Sequence, residues 1–244
     1  MNLIIDIGNS RVKAVLIDGR TTCGEHIAEG VDARWIADIA SRYPAARQAI
    51  VCSTRDDAAT LVAQLAAHFD YITLFSPATT PIPLGNDYLT PETLGADRLA
   101  AAVGVAALYP DCDIMVIDFG TAITIDYVID GRFKGGNISP GMTTRFRALA
   151  DYTARLPLCS ASDDVAEYGR TTREAIEQGV MQGITHEIEG YISSFSKKKR
   201  KKCIIFTGGD AKYFVKRIKN AIFADCEPVI YGLNTILEYN AAKR

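Results

Sequence analysis

The stretch LIIDIGNSRVKAVLIDGR at residues 3–20 has a near copy, MVIDFGTAITIDYVIDGR, at residues 115–132. Asp6 aligns with Asp118, and the two copies keep the same separation of 112 residues up to the shared tripeptide Asp-Gly-Arg. Each copy contains an apolar run, the pattern Asp-x-Gly, a second apolar run and that tripeptide. A constant separation over this length indicates an internal duplication, so the sequence predicts two halves with the same local structure.

Each copy predicts a β-hairpin. The runs Leu3–Asp6 and Met115–Asp118 suit buried first strands, and Val12–Ile17 and Ile123–Ile129 suit second strands. The Asp-Gly pair that follows favours a tight turn, because glycine tolerates positive φ angles. Helices and strands alternate in the rest of the chain, which indicates an α/β layered protein. The other predicted elements are helices at 33–43, 56–69, 94–108, 172–195 and 232–240, strands at 48–52, 71–74 and 203–206, and a glycine-rich loop at 135–141.

The first turn of each hairpin suits a phosphate group. Glycine lets the backbone approach a ligand, and exposed N–H groups can donate to phosphate oxygens together with the side chains of Asn9, Ser10 and Thr121. Lys13 adds a positive charge on the strand that follows the first turn. Two such turns facing each other would hold a nucleotide triphosphate from both sides.

The carboxylates of Asp6 and Asp118 end their strands, where they can hold a cation directly or through water. The alternative is that both stretches are ordinary hairpin turns, in which Asp and Gly are common. Two copies in register favour the phosphate interpretation. The chain contains neither G-x-x-x-x-G-K-[ST] nor G-x-G-x-x-G, so P-loop and dinucleotide-binding Rossmann sites lose their main support.

Composition and charge limit the class of protein. The chain has 244 residues, of which 48% are hydrophobic and 23% charged, which is typical of a globular protein with one or two domains. Six scattered cysteines without a C-x-x-C pair argue against a zinc site or a disulfide framework. Met1 leads directly into a predicted strand, so we expect no signal peptide and a cytoplasmic location.

Neither nucleic acid nor a membrane is an expected partner. The net charge of −2 provides no general attraction for polyanions, and the longest apolar run, 99–108, is too short to span a bilayer. The basic run KKKRKK at 197–202 could contact nucleic acid, but a solvated helix end before a buried strand explains it as well. The run has no interleaved aromatic residues, which favours the solvated interpretation.

Several motifs occur in one order between residues 6 and 209. In this combination the chain closely resembles the type III pantothenate kinases of the actin/Hsp70/sugar-kinase superfamily, and Gly-Ala-Asp-Arg is the most specific of the motifs. They are Asp6-Ile7-Gly8-Asn9-Ser10 with Lys13, Leu94-Gly95-Ala96-Asp97-Arg98, Asp118-Phe119-Gly120-Thr121-Ala122-x-Thr124, Gly136-x-Ile138-x-Pro140-Gly141 and Thr207-Gly208-Gly209.

The resemblance implies a fold and an assembly. The fold is α/β, with two duplicated RNase H-like (actin-like ATPase) domains at residues 1–112 and 113–244, each a mixed β-sheet flanked by helices, and an interdomain cleft. The assembly is a homodimer. An apolar stripe on the predicted helix 172–195 could pack against the partner or form intrachain core, and the sequence leaves both open. The stripe contains Ile176, Val180, Ile184, Ile188 and Ile192.

The resemblance also implies an activity, the phosphorylation of pantothenate on its primary hydroxyl by ATP, which is the first step of coenzyme A biosynthesis. ATP would bring Mg²⁺, and a monovalent cation, K⁺ or NH₄⁺, would bind at Asp118. Asp97 would accept the hydroxyl proton. The implied ATP contacts are Asp6, Ile7, Gly8, Asn9, Ser10, Arg11, Val12, Lys13 and Thr121, and the implied pantothenate contacts are Tyr88, Gly95, Ala96, Asp97, Arg98 and Thr172.

Two positions depart from the family pattern, and two other functions remain open. Ser10 replaces the commoner threonine and keeps the hydroxyl, whereas Thr90-Pro91 replaces Asn-Pro and weakens the assignment of that loop. The chain could instead be a non-catalytic ATP-binding regulator or transcription accessory factor, or a kinase or phosphohydrolase that acts on another small molecule. The enzyme is favoured because a regulator would not need all of Asp6, Lys13, Asp97, Arg98, Asp118 and Thr121.

Overall fold

A computed structural model describes residues 1–8, 11–53, 58–162, 166–195, 201–218, 222–223 and 227–243. The chain forms two compact units. The first contains Met1–Pro110, Gly131–Phe133 and Cys226–Arg244, and the second contains Asp111–Asp130 and Lys134–Asp225. The division into domains at 1–112 and 113–244 stays a prediction.

The first unit is built on a five-stranded sheet in the order β3-β2-β1-β4-β5. β1, β2 and β3 are antiparallel neighbours, and β4 and β5 continue the sheet in parallel with β1. The elements are β1 (Asn2–Ile7), β2 (Val12–Asp18), β3 (Thr21–Ala28), α1 (Ala33–Arg42), β4 (Gln48–Ser53), α2 (Ala58–Leu65), β5 (Tyr71–Leu74), β6 (Gly85–Asn86), a 3-10 helix (Pro91–Thr93) and α3 (Ala96–Leu108).

The second unit repeats this sheet. This second sheet has six strands in the order β11-β10-β7-β8-β9-β6. Its first five strands repeat the first sheet, because β9, β8, β7, β10 and β11 occupy the places of β3, β2, β1, β4 and β5. The sixth strand, β6, is parallel to the start of β9. β7 and β8 are antiparallel, and β10 and β11 are parallel to β7. The elements are β7 (Asp113–Phe119), β8 (Ala122–Ile129), β9 (Arg132–Pro140), α4 (Met142–Asp151), α5 (Thr172–Phe195), β10 (Lys202–Thr207), α6 (Ala211–Phe214) and β11 (Ile222–Phe223), followed by α7 (Pro228–Ala241) of the first unit. The repeated order confirms the predicted duplication.

The predicted loop at 135–141 is wrong, because β9 runs through it to Pro140. Glycine is needed here because β9 lies very close to β8: a Cβ on Gly136 would lie 2.0 Å from the carbonyl oxygen of Ile125 on β8. Sequence analysis also missed β3. It set helix limits a few residues off, since α2 ends at Leu65 and α7 begins at Pro228. Asp56, the predicted start of α2, lies outside the described residues, as do residues 197–200 of the basic run.

The second strands of the two copies correspond with a shift of one residue from the sequence alignment. Asp6 pairs with Lys13 across the first hairpin, whereas Asp118 pairs with Thr124, which is 111 residues after Lys13. The first hairpin turn is therefore one residue longer than the second. The shared Asp-Gly-Arg is also used differently. The turn residues are 19–20 in the first copy and 130–131 in the second, where both φ angles are positive, 53° and 68°.

The sheet of the first unit is covered on both faces. Leu3, Ile5 and Ile7 of β1 join one hydrophobic core with Ile36 of α1 and Leu65 of α2. The other face of the sheet is in contact with α3 and α7. The helix predicted at 33–43 is α1, and Asp32 caps it by accepting a 2.8 Å hydrogen bond from the backbone N–H of Trp35.

Within the first unit, helix α7 is held against α3 by close packing and against β1 by a buried pair of asparagine side chains. A Cβ on Gly232 would lie 1.8 Å from the carbonyl oxygen of Ala100, so α3 and α7 touch backbone to backbone at this point. Asn2 of β1 donates to the Oδ1 of the buried Asn234 at 2.8 Å. These contacts fix the N-terminal end of α3 relative to the sheet. No helix in the described ranges is long and apolar enough to cross a bilayer.

Candidate active site

Three polar residues form a row across the first sheet near the end of β1. Asp6 on β1 is in register with Lys13 on β2 and with Cys52 on β4. Because residues in register on neighbouring strands point to the same face, the three side chains are neighbours, and we call them the polar row. They lie on the face that contacts α3 and α7, opposite the core residues Ile5 and Ile7.

Lys13 is ion-paired with two glutamates. Its Nζ lies 2.9 Å from Oε1 of Glu25 on β3 and also contacts Oε1 of Glu227, the residue before α7. Burial is the largest single effect and disfavours the charged amine, but the hydrogen bonds and charges of Glu227 and Glu25 outweigh it and raise the pKa of Lys13. The lysine is therefore a full positive charge at neutral pH. A phosphate that approaches it would compete with these two carboxylates.

A backbone hydrogen bond joins the two described ends of the Asp-x-Gly turn after β1. The N–H of Gly8 donates to the carbonyl oxygen of Arg11 at 3.1 Å, while Ile7 and Val12 are buried at the strand ends. Arg11 is exposed. Asn9 and Ser10, both predicted ATP contacts, lie outside the described residues.

Asp97 and Arg98 stand at the start of α3. Gly95 is the N-cap and Ala96 the first helical residue, and Asp97 Oδ1 accepts a 2.9 Å hydrogen bond from the backbone N–H of Arg98. A carboxylate in the first turn is favoured by the helix dipole. The Arg98 side chain is almost buried, with 8% exposed. Helix α3 contacts β4, the strand that carries Cys52, and the charge of Asp97 helps to raise the pKa of that thiol. The start of α3 therefore lies near the polar row.

Tyr88 lies in the same unit, in the loop that leads to α3. Its backbone N–H donates to Asn86 Oδ1 at 3.0 Å, and its ring is 6.1 Å from that of Phe133. Asp87 in the same loop is ion-paired with Arg132. The loop is therefore anchored at the β6 end of the first unit.

The second unit assembles three of its motifs around the turn after β7. The N–H of Gly141, before α4, donates to the carbonyl oxygen of Thr121 at 3.0 Å, and Thr144 Oγ1 donates to the same oxygen at 2.7 Å. From the other side, a Cβ on Gly208 would lie 2.3 Å from Asp118 Oδ1. The motifs of Asp118, Gly141 and Gly208, far apart in sequence, thus meet at one turn.

The group of oxygens at this turn is compatible with a monovalent cation. The carboxylate of Asp118 and the backbone carbonyls of the turn are hard oxygen donors, which K⁺-like ions prefer over nitrogen or sulfur. Gly208 packs directly against Asp118 Oδ1, at a distance that leaves no room for a side chain. No group of three or more His, Cys, Asp or Glu side chains suited to a metal ion occurs among the residues described.

Gly208→Ala should disturb this turn strongly. Gly208 has a φ of +93°, which strains an L-residue, and its Cβ would also lie 2.6 Å from the backbone N and O of Phe119. We expect a loss of about 2–3 kcal/mol in the free energy of unfolding. Denaturant melts would measure it. Gly209→Ala is the matched control, because nothing lies within 4 Å of its Cβ. Equal losses in both variants would refute the steric account.

Thr172, a predicted pantothenate contact, belongs neither to the polar row nor to the turn after β7. It is the exposed first residue of α5 and lines a cavity of about 570 Å³ in the second unit, with Arg145, Leu149 and Val180 among the other lining residues. The apolar stripe of α5 is intrachain core here: Ile184 and Ile188 are fully buried in the core of the second unit, together with Ile176, Val180 and Ile192.

The structure therefore brings the predicted residues together in two groups. In the first unit, Asp6 and Lys13 belong to the polar row and Asp97 adjoins it, whereas in the second unit Thr121 and Asp118 share one turn. Sequence analysis missed Cys52, Glu25 and Glu227. No motif marks them, and only the strand register and the return of α7 to the first unit bring them to the site.

Comparisons with known proteins decide the family. The family model for type III pantothenate kinase matches residues 2–194. The chain belongs to the type III pantothenate kinase family. A relative from Phocaeicola vulgatus named type III pantothenate kinase is 42% identical over 242 residues, covering 98% of this chain and 99% of the relative. A relative of the same name from Porphyromonas gingivalis is 40% identical over 245 residues, covering 98% of both chains.

Solved structures agree with the type III pantothenate kinase fold. A putative Baf family transcriptional activator from Campylobacter jejuni has a TM-score of 0.64 at 22% identity and covers 98% of this chain and 99% of that one. A putative 2-dehydro-3-deoxygalactonokinase from Sinorhizobium meliloti has a TM-score of 0.62 at 16% identity, with the same coverage. At these identities the likeness concerns the fold alone, a duplicated α/β fold of the actin-like ATPase type.

Proposed function

We propose that the protein transfers the γ-phosphoryl group of ATP to the primary hydroxyl of pantothenate, giving 4′-phosphopantothenate and ADP. This is the first step of coenzyme A biosynthesis. The observation that carries the proposal is the placement of Asp97 at the start of α3, beside the polar row that contains Asp6 and Lys13. The near full-length relatives named type III pantothenate kinase support the choice of substrate.

Phosphoryl transfer to an alcohol depends mainly on positioning and on charge stabilisation. Asp97 accepts the hydroxyl proton while the alcohol oxygen bonds to the γ-phosphorus and ADP leaves. A base of this kind contributes about 10²–10⁴-fold to the rate. Arg98 supplies a planar, permanently charged donor that suits the carboxylate of pantothenate. Tyr88, Gly95, Ala96 and Thr172 are the other pantothenate contacts we propose.

ATP contacts are proposed at the turns of both hairpins. They comprise backbone N–H groups and side chains at 6–13 and the hydroxyl of Thr121. Lys13 has to exchange at least one of its glutamate partners for a phosphate oxygen. Since Lys13 carries a full charge, this exchange keeps the cation paired throughout. The cost is the separation of a partly exposed ion pair, which is small, about 1 kcal/mol or less.

Cations complete the proposal. A kinase of this family uses ATP with a divalent metal, and we propose Mg²⁺, which neutralises phosphate charge when bound. Mg²⁺ keeps several water ligands and takes others from the nucleotide, so it needs few protein carboxylates, and Asp6 is the candidate. For the monovalent ion, K⁺ or NH₄⁺, the candidate is Asp118 with the carbonyls of its turn. We further propose a cytoplasmic homodimer, whose mass analytical ultracentrifugation would measure.

The test is a coupled assay of ADP formation with ATP, Mg²⁺ and pantothenate, with and without K⁺. We expect ADP formation that requires pantothenate and rises when K⁺ or NH₄⁺ replaces Na⁺. Assays with a sugar acceptor or with no acceptor serve as controls. ADP formation with a sugar but not with pantothenate would select another kinase of this fold. ATP binding without any turnover would select the regulator.

A further inference from the structure

Cys52 links the proposed ATP contacts to the proposed base. It is in register with Asp6 on the parallel neighbour strand, so the two side chains lie side by side on one face of the sheet. Its exposed fraction is 0%, so α3, α7 and the sheet exclude water from its thiol. The sequence motifs of the family leave this residue out, and the proposed mechanism has not used it.

Two carboxylates lie near the thiol of Cys52. Asp6 is its register neighbour on β1, within hydrogen-bonding reach, and the charge of Asp97 also acts on the thiol. Burial, and then the charges of Asp6 and Asp97 and the hydrogen bond with Asp6, raise the pKa of Cys52 well above its usual value. A cysteine thiol ordinarily carries its proton at neutral pH. A carboxylate can only accept, so the S–H group is the donor in the hydrogen bond.

We propose that Cys52 is a positioning residue for the kinase reaction: its S–H donates to Asp6 and holds that carboxylate in place between Lys13 and the start of α3. The inference rests on the proposed function. Lys13 is the register neighbour of Asp6 on one adjoining strand and Cys52 on the other, and a donor on the Cys52 side favours one orientation of the carboxylate. A neutral donor is suited to this place because an anion would repel both aspartates and an incoming triphosphate.

The experiment compares Cys52→Ala, which removes the donor, with Cys52→Ser, which keeps one. We expect Cys52→Ala to lower kcat/KM for ATP about tenfold, as for a lost hydrogen bond to a charged group, and Cys52→Ser to retain at least about half of the wild-type value. Cys203→Ala is the matched control. It removes another buried thiol, on β10, and should leave kcat/KM for ATP unchanged even if it lowers Tm.

Two results would overturn the proposal. One is a Cys52→Ala enzyme with wild-type kcat/KM, and the other is a Cys52→Ser enzyme that loses as much as Cys52→Ala, which would indicate packing alone. If the alanine variant does not fold, Cys52→Val supplies a side chain that fills the space without a donor. An inactive wild-type protein would contradict the proposed function instead. In that case calorimetric titration should show that Cys52→Ala binds Mg²⁺-ATP more weakly than the wild type and Cys52→Ser do. Equal affinities of all three proteins would refute the role of Cys52.

Discussion

Asp97→Asn should lower kcat for pantothenate phosphorylation by about 10²–10⁴-fold, the usual contribution of a general base. The substitution keeps the shape of the side chain and removes its ability to take a proton. It also keeps the Oδ1 that accepts from the backbone N–H of Arg98, so the start of α3 should remain intact. Steady-state kinetics would show the loss in kcat with little change in KM for either substrate or in Tm.

The control for Asp97→Asn is Asp70→Asn. Asp70 is an exposed carboxylate in the same unit, 3.8 Å from Arg47, and a surface pair of this kind contributes little to stability. Its loss should leave kcat unchanged. If Asp97→Asn retained more than about a tenth of wild-type kcat, the proton would have another acceptor and the proposed mechanism would be wrong.

Among substitutions that add one methyl group to a glycine of the first unit, Gly232→Ala should destabilise the fold most. The added Cβ would lie 1.8 Å from the oxygen of Ala100, 2.7 Å from its carbonyl carbon and 2.9 Å from the N of Gly104. All three are backbone atoms of α3, so no side-chain rotation relieves the overlap and the two helices have to separate. We expect a loss of about 3 kcal/mol in the free energy of unfolding, at the upper end for overpacking.

Activity should fall together with stability in Gly232→Ala, because α3 carries Asp97 at its first turn. Gly190→Ala is the matched control. It also adds a methyl group to a helical glycine, but nothing lies within 4 Å of its Cβ, and the change should stabilise α5 by about 0.5 kcal/mol. Chemical denaturation of both variants measures the difference. A stability of Gly232→Ala within about 1 kcal/mol of wild type would show that the helices can adjust without cost.

Local sequence patterns were enough to predict most of the secondary structure. Apolar runs that end in Asp-x-Gly mark β1 and β7, because this signal depends on residues that are close in the chain. Strand β9 was mistaken for a loop, since its glycines are needed for the close approach of β8, which local sequence does not reveal. The alignment of the repeats was one residue off in the second strand, because the first turn contains one residue more.

The site was predicted in part. Asp6, Lys13, Asp97 and Asp118 carry the chemistry and stand in recognisable motifs, so they could be named without a structure. Their immediate partners could not be named. The pairing of β2 with β3 brings Glu25 to Lys13. Glu227 reaches Lys13 because the chain returns to the first unit, in α7, after the residues of the second unit.

The sequence by itself determined the duplication, the α/β class and the charged residues available for phosphoryl transfer, because these depend on composition, periodicity and motifs along one chain. The tertiary structure alone decided which buried groups adjoin those residues. Strand register places the thiol of Cys52 beside Asp6, and the packing of α7 on α3 through Gly232 fixes the helix whose first turn contains Asp97. Such contacts join residues far apart in the chain, and their energies arise only when the sheet and helices pack together.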